Sequence, residues 1–117
     1  MQTKTPQHLI EIFKTQQGAV YQCNSKNAFC LEFGNSRSFF KISDFLNFTK
    51  KINNIDVAEM AKNTSRHADI AIVMPHYTER CFVLTITDII ALREILNGAK
   101  FMLQLNSILR ECMTSLA

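Results

Sequence analysis

The sequence predicts an α+β fold of about six mainly antiparallel strands and two main helices, the C-terminal one long. Three observations carry this. Apolar residues alternate with polar ones, and aromatics recur, through the first part of the chain; two short apolar runs follow beyond residue 68. After each of these blocks the apolar period changes from that of a strand to that of a helix. At both changes a hydroxyl residue is followed by aspartate, the composition of a helix start.

Taken in order, His8 to Lys14 alternates loosely, with Ile10 and Ile12 on one face. The run T-Q-Q-G ends that pattern at Gly18. Ala19 to Asn24 reads as a second strand and Ala28 to Phe33 as a third. Arg37 to Ile42 is the fourth, with Phe40 and Ile42 inward. Ser43-Asp44 then opens a helix whose apolar face is Phe45, Leu46, Phe48, Thr49 and Ile52, and Asn53-Asn54 closes it. Asp56 to Glu59 caps a short further turn reaching Lys62. Asn63 to His67 is a connector. Asp69 to Met74 and Cys81 to Ile86 are two more strands, joined by P-H-Y-T-E-R. Thr87-Asp88 starts the last helix, in which Leu92, Ile95, Leu96, Ala99, Met102, Leu103, Leu109 and Met113 keep the helical period. Unbroken, it runs ~40 Å at the helical rise. A domain of this size does not cover such a helix alone, so either Gly98 kinks it or its last turns pack on a second copy.

The stretch Y-Q-C-N-S-K-N-A-F-C-L-E-F poses a question of register. A three-residue turn at Ser25-Lys26-Asn27 pairs Cys23 with Phe29 and gathers Tyr21, Cys23, Phe29, Leu31 and Phe33 on one face. In that register Cys23 faces the core and Cys30 faces away beside Gln22. The two thiols then share neither a metal nor a disulfide, and a lone C-x6-C lacks the paired spacing of a zinc site.

An internal echo follows. R-S-F-F-K-I-S-D-F-L-N-F-T-K-K-I from Arg37 parallels R-C-F-V-L-T-I-T-D-I-I-A-L-R-E-I from Arg80. Each is an arginine, an apolar strand, a hydroxyl-Asp pair and an amphipathic helix. Two duplicated ββα units and the ordinary look of any strand-to-helix junction both account for it.

With 117 residues the chain has the length of one domain, and residues 1–117 are read as a single one. Apolar residues make up 47 %, enough for a core, and three Gly and two Pro exclude a fibrous or disordered class. The formal net charge of +3 is spread along the sequence without a basic stripe, which argues against a nucleic-acid partner. No run approaches the ~20 apolar residues of a membrane helix and no secretory stretch opens the chain, so the expected place is the cytoplasm, with its four cysteines as thiols.

Several short motifs resemble a family of small uncharacterised Bacteroidetes proteins, a domain of unknown function. They are the hairpin ending F-G-N at Asn35, R-x5-[LI]-x-[MP] from Arg66, L-T-hydrophobic-x-D from Leu84, and L-x-G-A-K-x-M-L from Leu96. The resemblance runs from about Ile12 to Cys112. It implies a fold and no activity. In that family the hairpin can carry C-x2-C, whose first cysteine matches Cys23; here Lys26 stands at the second position, so the resemblance implies no knuckle-like metal site.

Candidate chemistry is sparse. Ser65, His67 and Asp69 alternate, but no nucleophile elbow accompanies them and triad members converge from separate segments. His76, Tyr77 and Arg80 in the Pro75–Arg80 loop are candidate ligand contacts, because loops between strands carry such residues. No phosphate loop, metal motif or cofactor motif is present, and the reading leans away from an enzyme. Val20, Cys30 and Phe39, accompanied by Gln22, Glu32, Arg37 and Lys41, make a partly apolar sheet face rimmed by charge, a candidate interface. The leading expectation is an interaction or structural module that forms a homodimer through the C-terminal helix or the free sheet face, with room for an unidentified protein partner. The alternative is a small-ligand-binding protein or minor enzyme using the Pro75–Arg80 loop.

Overall fold

The computed structural model describes residues 9–62, 70–73 and 81–116, with side chains in the last helix described as far as Met113. Among them the order is β1 (Leu9–Lys14), β2 (Gly18–Cys23), β3 (Ala28–Phe33), β4 (Ser36–Lys41), α1 (Ile42–Asn53), α2 (Val57–Lys62), β5 (Ile70–Val73), β6 (Phe82–Thr85) and α3 (Ile86–Leu116). The fold is α+β. The first four strands form an antiparallel meander and β5 pairs with β6 in a second small sheet. Each hairpin passes straight into a helix, β4 into α1 and β6 into α3. No helix among the described residues is long and apolar enough to cross a membrane.

The β2–β3 register differs from the expected one. Cys23 pairs with Ala28 and Val20 with Leu31, so the loop has four residues, Asn24 to Asn27. The Asn27 N–H donates to the Asn24 carbonyl and Asn27 takes φ +52°, a left-handed position that asparagine tolerates. One extra loop residue slips the pairing by one and turns β2 over. Val20 therefore points to the core, between Phe13 and Leu31, whereas Tyr21 and Cys23 join Cys30 on the outer face. Counting Tyr21 and Cys23 as core residues undervalued Val20. A branched aliphatic side chain gains fully from burial, but a phenol needs a partner for its hydroxyl. The β3–β4 turn is tighter: Gly34 has φ +63° and Asn35 does not share the positive φ, the type II′ pattern.

The core lies between the meander and the helices. Val20, Phe29, Leu31 and Phe40 of the sheet meet Phe45, Phe48 and Ile52 of α1 and Ile89, Leu92, Ile95, Leu96 and Ala99 of α3. Phe29 and Phe45 rings stand 4.9 Å apart, Phe40 and Phe48 5.0 Å, and Phe48 and Phe82 4.9 Å. This chain of rings ties the large sheet through α1 to β6. A bulge at Ile12 lets Ile12 and Phe13 both reach the core, and leaves Ile10 exposed rather than paired with Ile12 on a buried face.

Helix boundaries shift in two places. β4 stays paired to Lys41, which is extended and serves as N-cap of α1 without a side-chain bond; Ser43 is thus inside the first turn and Ile42 is exposed, not inward. The Asp88 N–H donates to Thr85 Oγ1 at 3.1 Å and the Thr85 N–H to Asp88 Oδ2 at 3.1 Å, so a capping box starts at Thr85 and not at Thr87. Leu46 is exposed, outside the buried face of α1. Asp56 accepts from the Glu59 N–H at 2.9 Å, as expected of the cap of α2. Gly98 makes no break: α3 is one helix of 31 residues.

Candidate functional site

The pleat brings together on one face residues that are far apart in sequence. On the side of the meander away from the helices, Tyr21, Cys30 and Phe39 stand in one row across β2, β3 and β4. Glu32 pairs with Arg37 in the next row, where Arg37 Nε donates to Glu32 Oε2 at 2.9 Å. Lys26, from the four-residue loop, holds its Nζ 4.4 Å from the centre of the Phe39 ring. Lys41 ends β4 on the same face. Of the expected interface residues, then, Cys30 and Phe39 are direct cross-strand neighbours here and Val20 is not with them: it is buried on the opposite side. Cys30 is also fully buried, and Phe39 is 39 % exposed.

The thiols on this face differ in character. Burial pushes Cys30 above the ordinary thiol range, with Arg37 acting against it. Cys23 is pulled below that range, chiefly by the Ser25 hydroxyl 3.5 Å from its Sγ. Burial, then the carboxylates of Glu32 and Glu11, push the Tyr21 phenol up. Glu32 holds the Arg37 guanidinium above its usual value, first through their hydrogen bond. Cys23 and Cys30 occupy diagonal positions of one face, so the expectation that they face opposite ways is corrected; both are thiols, as are Cys81 and Cys112.

Open clefts among the described residues border these elements. One of about 550 Å³ lies at the β1–β2 and β3–β4 turns, with Lys14, Gln17, Glu32 and Arg37 in its wall. Another of about 460 Å³ separates α1 from α3 at Thr49, Asn53 and Lys100, and a third of about 300 Å³ joins the β3–β4 turn to β6. Among the described residues no group of three or more His, Cys, Asp or Glu is placed to hold a metal ion. His76, Tyr77 and Arg80 lie outside the described residues, as do Ser65, His67 and Asp69.

A second surface was only half legible. α3 leaves the core after Leu103, which still packs against it; Phe101, Ile108, Leu109 and Met113 are 60 %, 55 %, 51 % and 72 % exposed. Ile70, Ile72 and Val83 form the outward side of the β5–β6 hairpin. Helical period marks Leu109 and Met113 as a continuation of the Leu92–Leu103 face and leaves out Phe101 and Ile108; it does not say where the core beneath that face ends.

A family model described as a family of unknown function, DUF6686, matches residues 5–112. The chain belongs to this family. The match takes in every strand, both shorter helices and α3 as far as Cys112. No curated protein and no solved structure gives a match. DUF6686 carries no assigned activity, so function here rests on the geometry of the two surfaces.

Proposed function

We propose that this DUF6686 member is a non-enzymatic interaction or structural module of the cytoplasm, a single domain that works without a cofactor and forms a homodimer through the C-terminal half of α3. The resemblance of its motifs also leads us to read the family as one of Bacteroidetes. The observation that carries the dimer is the exposure of Phe101, Ile108, Leu109 and Met113 on a helix whose first half buries Ile89, Leu92, Ile95, Leu96 and Ala99. A helical overhang of this length is not stable by propensity alone; apolar packing on one side is what holds such helices. A second copy supplies the same apolar residues, and beyond Leu103 the overhang carries Arg110 and Glu111 and no further charge. These four large side chains from each copy bury on the order of 1,000 Å² in total, the lower bound of a specific interface.

Native mass spectrometry and sedimentation of protein purified without chelator test this. The expected species is a dimer carrying no metal or ligand, converted to a folded monomer by Leu109→Glu with Met113→Glu. A strictly monomeric protein at high concentration overturns the dimer, and a retained metal or small molecule overturns the non-enzymatic reading.

A further inference from the structure

We propose that the outer edge of β4 is a docking site for an extended acidic segment of a partner protein, which adds to the meander as a fifth strand. β4 is an edge: among the described residues it is paired with β3 alone. An edge strand presents unpaired N–H and C=O groups to any extended chain. Which chain it accepts is decided by the side chains along it. On the outer face β4 shows Arg37, Phe39 and Lys41, a cation, an exposed ring and a cation at alternate positions. Lys26 adds a third cation over that ring, and Glu32, held by Arg37, is the carboxylate beside them.

This pattern rejects a second copy of β4. Antiparallel self-pairing about Phe39 sets Arg37 against Lys41 twice over, and like charges directly opposite destabilise a strand pair. A segment with an acidic, an apolar and an acidic residue at alternate positions fits instead. Its carboxylates fall opposite Arg37 and Lys41 and its apolar residue opposite Phe39. Because the pattern is symmetric about Phe39, a segment in either direction satisfies it. Main-chain hydrogen bonds supply the common affinity, and the charges supply the choice of partner. This site is separate from the apolar surface on α3 and does not depend on the dimer.

The test is fluorescence anisotropy of the full chain with a labelled short peptide that alternates glutamate with valine. Controls are its lysine counterpart, the same peptide N-methylated at alternate amides, and oligothymidylate. The acidic peptide is expected to saturate, and Lys41→Glu to weaken it about tenfold or more, as loss of an interfacial charge pair does. Lys41 is exposed and makes no side-chain cap bond, and a carboxylate at a helix start is favourable, so this variant keeps its fold. Phe39→Ala weakens binding as well, and the monomeric Leu109→Glu, Met113→Glu variant binds as the parent does. The proposal is overturned if the acidic peptide does not bind, or if the lysine peptide or the N-methylated peptide binds equally well. It is also overturned if Lys41→Glu changes nothing, or if oligothymidylate alone binds.

Discussion

Cys30 and Gly98 show what a single position contributes. The folded chain keeps the Cys30 proton that the unfolded chain releases, because burial raises its pKa. Stability therefore falls as pH climbs through the ordinary thiol range and levels off above the folded value. Cys23, lowered chiefly by Ser25, acts in the opposite sense. Between about pH 7 and about pH 9.5, below the tyrosine range, the urea midpoint of Cys30→Ala is expected to rise relative to the parent's as pH climbs, because the downward contribution of Cys30 is gone. Gly98 sits in α3 against the ring of Phe13, where an added methyl overlaps the ring. Gly98→Ala should gain about 1 kcal/mol of helix propensity and still lose about 1–2 kcal/mol net through displacement of the ring. In a Phe13→Ala background the same change should stabilise, which denaturant titration of the double-mutant cycle reads directly. From the sequence Gly98 was a puzzle of helix continuity; its reason is a contact with a residue 85 positions earlier, which no local pattern contains.

At the scale of elements, the join between α1 and α3 depends on a few polar contacts. Arg93 donates to the carbonyls of Ile52 and Asn53 at the end of α1 and of Ile55 just beyond it. Asn53 and Asn97 exchange amide hydrogen bonds of 2.9 and 3.0 Å beside it. Arg93→Ala is expected to cost about 2–3 kcal/mol, since it removes charge-assisted hydrogen bonds to three carbonyls, and Arg93→Lys to recover little of that, since an ammonium lacks the planar fork. Urea unfolding of the three proteins separates these outcomes. Strand and helix identities were legible because period and turn residues are local signals. The helix starts at Ile42 and Ile86 were less so. Sequence offers Ser43 and Thr87 as caps, but pairing of β4 and β6 sets where the chain leaves the sheet.

For the whole molecule, α3 is the organising axis: 31 residues give a rod of about 46 Å against a longest dimension of 59 Å. Its first half completes the core and its second half projects. The dimer proposed for that projection carries a thermodynamic signature. Melting temperature should rise with protein concentration in the parent and become concentration-independent in Leu109→Glu, Met113→Glu. A parent whose melting does not move with concentration, although both proteins are folded, counts against the dimer.

Composition, period and turn chemistry by themselves determined that this chain is α+β, roughly where its strands and helices run, and that the long C-terminal helix has more apolar surface than its own domain uses. These properties are local or additive, so they survive without a partner to pack on. The tertiary structure decided which face each strand of the first hairpin shows. That choice turns on one loop residue and on the competition of Val20 with Tyr21 for the space under α3. It also decided that Cys30 and Phe39 share a surface with Lys26, Arg37 and Lys41 while Val20 does not, because only cross-strand pairing carries residues from β2, β3 and β4 to one side.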